Sequence, residues 1–380
     1  MCSEPDCYEQ GPGFASQGSH WSRLRALSTP ALRNTVRLMR ACVPHRPALS
    51  CRSVRGPSPG EGAPDCAHEA HSKPGPLCPQ RREVSDAPEV RFARRRGLRY
   101  GEVLNETEIK AAALVLVGHG ATDHAEAAAT MCQHADELRR RGVFREVVVA
   151  FWKVEPKLDG VWSRVTAARV FVVPMFVSEG YFTEEAIPAA LGLAELGGRT
   201  SAQELGGRSV HYCQPVGTHD RMTDVILERA AGVVRRHPFP CAPKPEATAL
   251  FIAGHGAERN GNSRKSVERQ VALIRQRNLY AEVHAVFMEE APRIGEVYAL
   301  AAARKVVVVP FFMSNGRHVV EDIPVLLGEA EGVVQARLQQ GLPTWRNPTD
   351  RRGRRVWYSG SVGPEPLLAE IILERVREAL

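Results

Sequence analysis

From Leu114 onward the chain alternates between two textures. Short apolar runs, Leu114–Val117, Val147–Phe151, Val170–Val173 and Val210–Cys213, are separated by Ala-, Arg- and Glu-rich stretches of helical length. Short runs of this kind, interrupted only by His211, suit strands buried on both faces, and the stretches between them suit crossover helices. The alternation predicts βαβ units around a parallel sheet.

The pattern then repeats. "LVLVGHGA" at 114–121 faces "LFIAGHGA" at 250–257, and "REVVVAFWKVEP" at 145–156 faces "AEVHAVFMEEAP" at 281–292. "VPMFVSEGYFTEEAIP" at 173–188 faces "VPFFMSNGRHVVEDIP" at 309–324, all at one offset of 136 residues. Beyond these loops the offset is 146, because the second copy carries ten extra residues between Gly328 and Arg355. A period this long is domain duplication and not a solenoid repeat. The expectation is two tandem α/β domains, 106–240 and 246–380, each built on four strands. Related halves pack about a pseudo-two-fold, with a cleft at the carboxyl ends of the strands.

Residues 1–105 lack this order. They are rich in Pro, Gly, Ser and Arg, and the one amphipathic stretch, Ser22–Arg40, is interrupted by Pro30. The composition predicts a disordered N-terminal extension. The acid-free segment Gly11–Gly60 offers a second reading, an organellar transit peptide.

Charge changes the picture once it is divided. The formal net charge is +7, but residues 1–100 hold 16 Lys/Arg against 9 Asp/Glu, and the remainder balances 34 against 34. A neutral folded part gives no support for nucleic acid as a partner. No stretch reaches the ~20 apolar residues of a bilayer span. Six of the nine cysteines lie in the first hundred residues and none forms a C-x-x-C pair, which argues against a zinc ribbon or an iron–sulfur ligand set. The thiols read as reduced, in a cytoplasmic protein.

Three positions fall just past strand ends in both copies. The second copy places His255, Glu289 and His318 there; the first places His119, Lys153 and Phe182. Two imidazoles and a carboxylate suit a borderline divalent ion such as Co2+, Fe2+, Ni2+ or Zn2+, and leave coordination positions open. Lys153 and Phe182 cannot replace Glu289 and His318 as ligands. One site is kept and its twin is abandoned. The competing use of "GHGAERNGN", a phosphate-binding loop, lacks both the G-x-G-x-x-G spacing and the lysine of a P-loop.

"LFIAGHGAERN", "AVFMEEAP" and "VVVPFFMSNGRHVVEDIP" together resemble the sirohydrochlorin chelatases of the CbiX type, in the class II chelatase fold. The resemblance implies insertion of Co2+ into sirohydrochlorin for cobalamin; the alternatives are Fe2+ insertion for sirohaem and a non-catalytic tetrapyrrole or metal carrier. It places the family's paired histidines on His255 and His318, as ligands and proton acceptors, and a metal-binding glutamate on Glu289. It implies a monomer through internal duplication, the metal as a substrate with Ni2+ also admissible, and no tightly bound cofactor. The substrate's eight carboxylates call for positive and polar contacts, for which Ser314, Asn315, Gly316, Arg317 and Lys153 are candidates. Arg351, Arg352, Arg354 and Arg355 are candidates for the cleft rim, and a solvated basic loop is the other reading of them. Phe182 would wall the flat macrocycle or pack in the core.

Overall fold

In the first repeat, β1 (Ala113–Gly118) lies between β2 (Glu146–Phe151) and β3 (Arg169–Pro174), parallel to both. Val115 sits across from Val148 on one side and Val172 on the other. In the second, β6 (Thr248–Gly254) lies likewise between β7 (Glu282–Phe287) and β8 (Lys305–Pro310). Every residue of β1 and β6 is buried. That is why both read as unbroken apolar runs with no polar alternation. The computed structural model describes residues 107–122, 125–194, 201–238, 240–256 and 261–380. The expected disorder of 1–105 lies outside the described residues.

Each sheet has five strands, where the sequence predicts four. The orders are β2-β1-β3-β5-β4 and β7-β6-β8-β10-β9, with β4 (Ser201–Leu205), β5 (Arg208–Tyr212), β9 (Thr349–Arg351) and β10 (Arg354–Tyr358). β4 and β9 are antiparallel edge strands. Neither has an apolar run, since an edge strand with a solvated face needs none. The signal lies in their turns. Gly206-Gly207 and Arg352-Gly353 all have positive φ, the requirement of a tight two-residue hairpin.

Five longer helices complete the fold: α1 (Ala125–Arg141), α2 (Met222–Arg236), α3 (Asn262–Gln276), α4 (Glu331–Gln339) and α5 (Leu368–Arg377). In α1, Met131, Ala135 and Leu138 recur at helical spacing and are buried. The last helix of each repeat crosses to the other. α2 contacts β8 and β10 of the second sheet, and α5 contacts β3 of the first. Met222, Val225, Ile226 and Val233 of α2 and Leu368, Ile371 and Ile372 of α5 therefore share one apolar cluster with Leu114 and Leu250 of the central strands. One smaller apolar cluster belongs to each sheet separately. This reciprocal exchange is what a pseudo-two-fold demands.

Polar contacts fasten the same seam. His134 Nε2–H of α1 donates to Gly363 O at 2.6 Å, and Trp357 Nε1–H donates to His237 O at 2.8 Å. Arg375, only 5% exposed, donates to Pro215 O at 3.0 Å and Thr218 Oγ1 at 2.7 Å. The ten extra residues of the second repeat fall in the segment that holds α4.

Candidate metal centre

The two Gly-His-Gly turns follow β1 and β6. The second glycine of each has positive φ, +69° at Gly120 and +72° at Gly256. A Cβ on Gly256 would come within 2.9 Å of Glu290 and 3.1 Å of Phe287, so the site admits only glycine. The same turn orients the histidine. Its next carbonyl bonds Nδ1, at 2.7 Å for His255 and Gly256 O, and at 2.9 Å for His119 and Gly120 O. A carbonyl only accepts, so Nδ1 carries the proton and Nε2 keeps the lone pair.

His318 opens a π-helical turn, His318–Asp322, after β8. The matching turn in the first repeat is Phe182–Ala186, also π-helical. Such wide turns are rare and recur at functional positions. Here the turn brings residue 322 beside residue 318, and Asp322 Oδ2 accepts from His318 Nδ1–H at 2.7 Å. His318 is thereby left with the Nε2 lone pair free, like His255. The two rings meet edge to face with centroids 5.0 Å apart.

Glu289 is less closely placed. Its Oε2 lies 3.7 Å from His255 Nδ1, on the nitrogen already bonded to Gly256, and its side chain is 55% exposed. Among the described residues, no three His, Cys, Asp or Glu side chains converge as a metal-binding group. The structure thus unites the two histidines and leaves the carboxylate at the margin.

A cavity of about 660 Å³ opens between the repeats. The first repeat supplies His119, Lys153 and Phe176; the second supplies Ser314, Gly316, Arg317, His318 and Glu321. That volume suits a ligand-binding site. His255 reaches it through its contact with His318 and is not itself a lining residue. Asn315 also stays out of the lining, because its Oδ1 accepts from Ser361 N–H at 2.8 Å and ties the loop to the turn after β10. Across the cavity His119 is held neutral. Burial pushes its pKa below the ordinary value, the Gly120 carbonyl opposes this, and the charge of Lys153 lowers it further.

Phe182 is not among the lining residues either. It packs within an aromatic group, 4.9 Å from His119, 5.5 Å from Tyr181, 5.7 Å from Trp152 and 6.1 Å from Phe176 by ring centroids. These contacts support the packing reading of Phe182.

The rim arginines need correction. Arg355 pairs with Lys305, the first residue of β8, so this hairpin sits at the amino ends of the strands, away from the cavity. Arg355 pairs with Asp350 at 2.7 Å, Arg351 with Glu329 at 3.1 Å, Arg354 bonds Ala301 O, and Arg352 lies over the Tyr298 ring. Their charges are used in holding the hairpin.

Sequence reasoning missed Asp322 and Glu321 as site residues. The spacing of Asp322 from His318, together with Ala186 at the twin position, was a usable signal. Glu321 could not be read as a cavity residue, because its orientation depends on Gln335 of α4, whose Nε2–H donates to its Oε2 at 2.9 Å.

The CbiX family matches the chain twice, over residues 113–233 and 249–379. A probable sirohydrochlorin cobaltochelatase of Halobacterium salinarum is 39% identical over 279 residues, covering 70% of this chain and 91% of the relative. A sirohydrochlorin cobaltochelatase of Methanopyrus kandleri is 32% identical over 140 residues, covering 35% of this chain and 96% of its own length. A chloroplastic sirohydrochlorin ferrochelatase of Arabidopsis thaliana is 27% identical over 159 residues, 38% of this chain and 63% of the relative. Among solved structures, a multi-domain protein of Deinococcus radiodurans with structural similarity to chelatases aligns with a TM-score of 0.56 and 32% identity, covering 70% of this chain and 54% of that one. SirB from Bacillus subtilis aligns at 0.50 and 16% identity, covering 70% and 95%, a likeness of fold alone. Among the described residues no helix is long and apolar enough to cross a membrane.

Proposed function

Because the chain belongs to the CbiX family, we propose that it inserts Co2+ into sirohydrochlorin, with the metal held by His255 and His318. One observation carries this reading. Two histidines in ring contact each have Nδ1 engaged, so both present Nε2 as the available lone pair beside a cavity large enough for a ligand. Neutral imidazoles with fixed tautomers bind a borderline dication while leaving coordination positions for the incoming ring nitrogens.

Metallation removes two pyrrole N–H protons and exchanges the metal's water for four ring nitrogens. His255 and His318 hold the ion through Nε2, and the same nitrogens, once released from it, accept the pyrrole protons. Glu289, exposed and without another partner among the described residues, swings toward the ion and offsets its charge. Lys153 and Arg317 stand on opposite repeats around one cavity and pair with carboxylates of the macrocycle, with Ser314 and the Gly316 backbone as polar contacts. Asn315 acts one step back, by holding this loop in place. Phe182 supports the His119 wall and does not touch the ring.

In this reading 106–240 is the repeat with the degenerate site and 246–380 the repeat that carries the metal. The shared core between them supports a monomer that works without a partner copy; a cytoplasmic location and the lack of a tightly bound cofactor complete the proposal. Fe2+ insertion is the second reading, favoured by the Arabidopsis thaliana relative; both ions accept the same ligand types. The test is direct: purified protein, sirohydrochlorin and Co2+, Fe2+ or Ni2+ in turn, followed by the tetrapyrrole absorbance. Faster metallation than the uncatalysed rate with Co2+ supports the reading, and no acceleration with any metal refutes it.

A further inference from the structure

We infer that Asp322 is the positioning residue of the metal site, holding His318 as the stronger of the two imidazole donors. This rests on the reading that His255 and His318 bind the metal. The two histidines are held by different acceptors. The Nδ1–H of His255 meets a neutral carbonyl, and that of His318 meets a carboxylate at 2.7 Å. A carboxylate acceptor fixes the tautomer and ring angle and, unlike a carbonyl, makes the opposite nitrogen more basic. The second oxygen of Asp322, Oδ1, lies 3.8 Å from Arg317 Nε, close enough to steady the carboxylate without displacing it from His318.

The twin repeat separates this role from mere helix chemistry. There the histidine held by a carbonyl survives, with His119 bonded to Gly120 O at 2.9 Å. At the other position both members are gone: Phe182 replaces the histidine and Ala186, only 6% exposed, replaces the aspartate. The turn itself has not lost its acids, since Glu184 and Glu185 remain. What disappeared with the imidazole is the one carboxylate that would have faced it. A turn that keeps its π-helical shape without Asp322's counterpart does not need that aspartate for folding.

Co2+ alone, titrated into the metal-free full chain and followed by its visible absorption, tests this. Asp322→Ala should weaken Co2+ binding about 10- to 100-fold with little change in melting temperature. Asp322→Asn keeps the shape and an acceptor oxygen without the charge, and should fall between. The KM for Co2+ should rise while the KM for sirohydrochlorin stays constant. If Asp322→Ala and Asp322→Asn bind Co2+ like the unaltered chain while His318→Ala does not, Asp322 has no such role and the metal site stands. If His318→Ala also binds Co2+ normally, the histidine site is wrong and this inference falls with it.

Discussion

Phe182 meets His119 edge to face, with ring centroids 4.9 Å apart at 81°, and His318 meets His255 in nearly the same pose, 5.0 Å apart at 80°. The first repeat keeps this ring packing with Phe182 in place of the second imidazole. An aromatic ring fills the volume of an imidazole, and the turn needs no rearrangement. Phe182→Ala should therefore cost stability, about 1–2 kcal/mol for a half-buried ring, by urea unfolding. Its KM for sirohydrochlorin should hardly move. Unchanged stability with weakened substrate binding would mean that the ring faces the macrocycle after all.

Among the described residues, one cationic side chain from each repeat lines the cavity, Lys153 and Arg317. Lys153→Ala and Arg317→Ala should each raise the KM for sirohydrochlorin about tenfold, the loss of one charge-assisted contact. Co2+ binding by the protein alone should stay the same in Lys153→Ala, and a fall in Co2+ affinity there would place Lys153 at the metal instead.

Arg375 is the most heavily bonded group of the seam between repeats. Two bonds to Pro215 O, others to Thr218 and Gln214, and an ion pair to Glu378 at 2.7 Å leave it 5% exposed. Arg375→Ala strands those acceptors and should lower stability by about 3 kcal/mol. Denaturant unfolding measures it, and a loss under about 0.5 kcal/mol would show that α5 is held by apolar contact alone.

One histidine of the seam also ties stability to pH. Burial pushes the pKa of His134 below its ordinary value, only partly opposed by its bond to Gly363 O. The unfolded chain then binds a proton that the folded chain refuses. Stability is complete above about pH 6.5 and falls as pH drops toward the folded value, by up to ~1.4 kcal/mol per pH unit for one group. His134→Gln keeps a donor for Gly363 O without titrating. Its unfolding midpoint should depend less on pH between 6.5 and 5 than that of the unaltered chain; equal slopes would exclude His134 as the cause.

Much of this was legible in the residues. The apolar runs mark the eight parallel strands, four in each sheet, and the constant offset of 136 residues announces the duplication. β4 and β9 escaped because polar edge strands carry no apolar period, and only their turns betray them. Helix exchange across the seam was invisible, since the apolar stripe of α2 is the same whichever sheet it covers. The twin comparison singled out His255 and His318, and the fold brings their rings into contact. The exposed position of Glu289 and the amino-end location of Arg351 and Arg355 depend on tertiary placement, which a loop sequence does not encode.

The most direct measurement compares three single variants in one assay of Co2+ insertion into sirohydrochlorin, followed by the macrocycle's absorbance. His255→Ala and His318→Ala each remove a ligand and a proton acceptor, and should slow insertion at least about 100-fold. His119→Ala removes a histidine that keeps the same turn and the same carbonyl bond but faces Lys153 and Phe182, and should slow it less than about fivefold. Comparable losses from all three would contradict a single metal site on the second repeat.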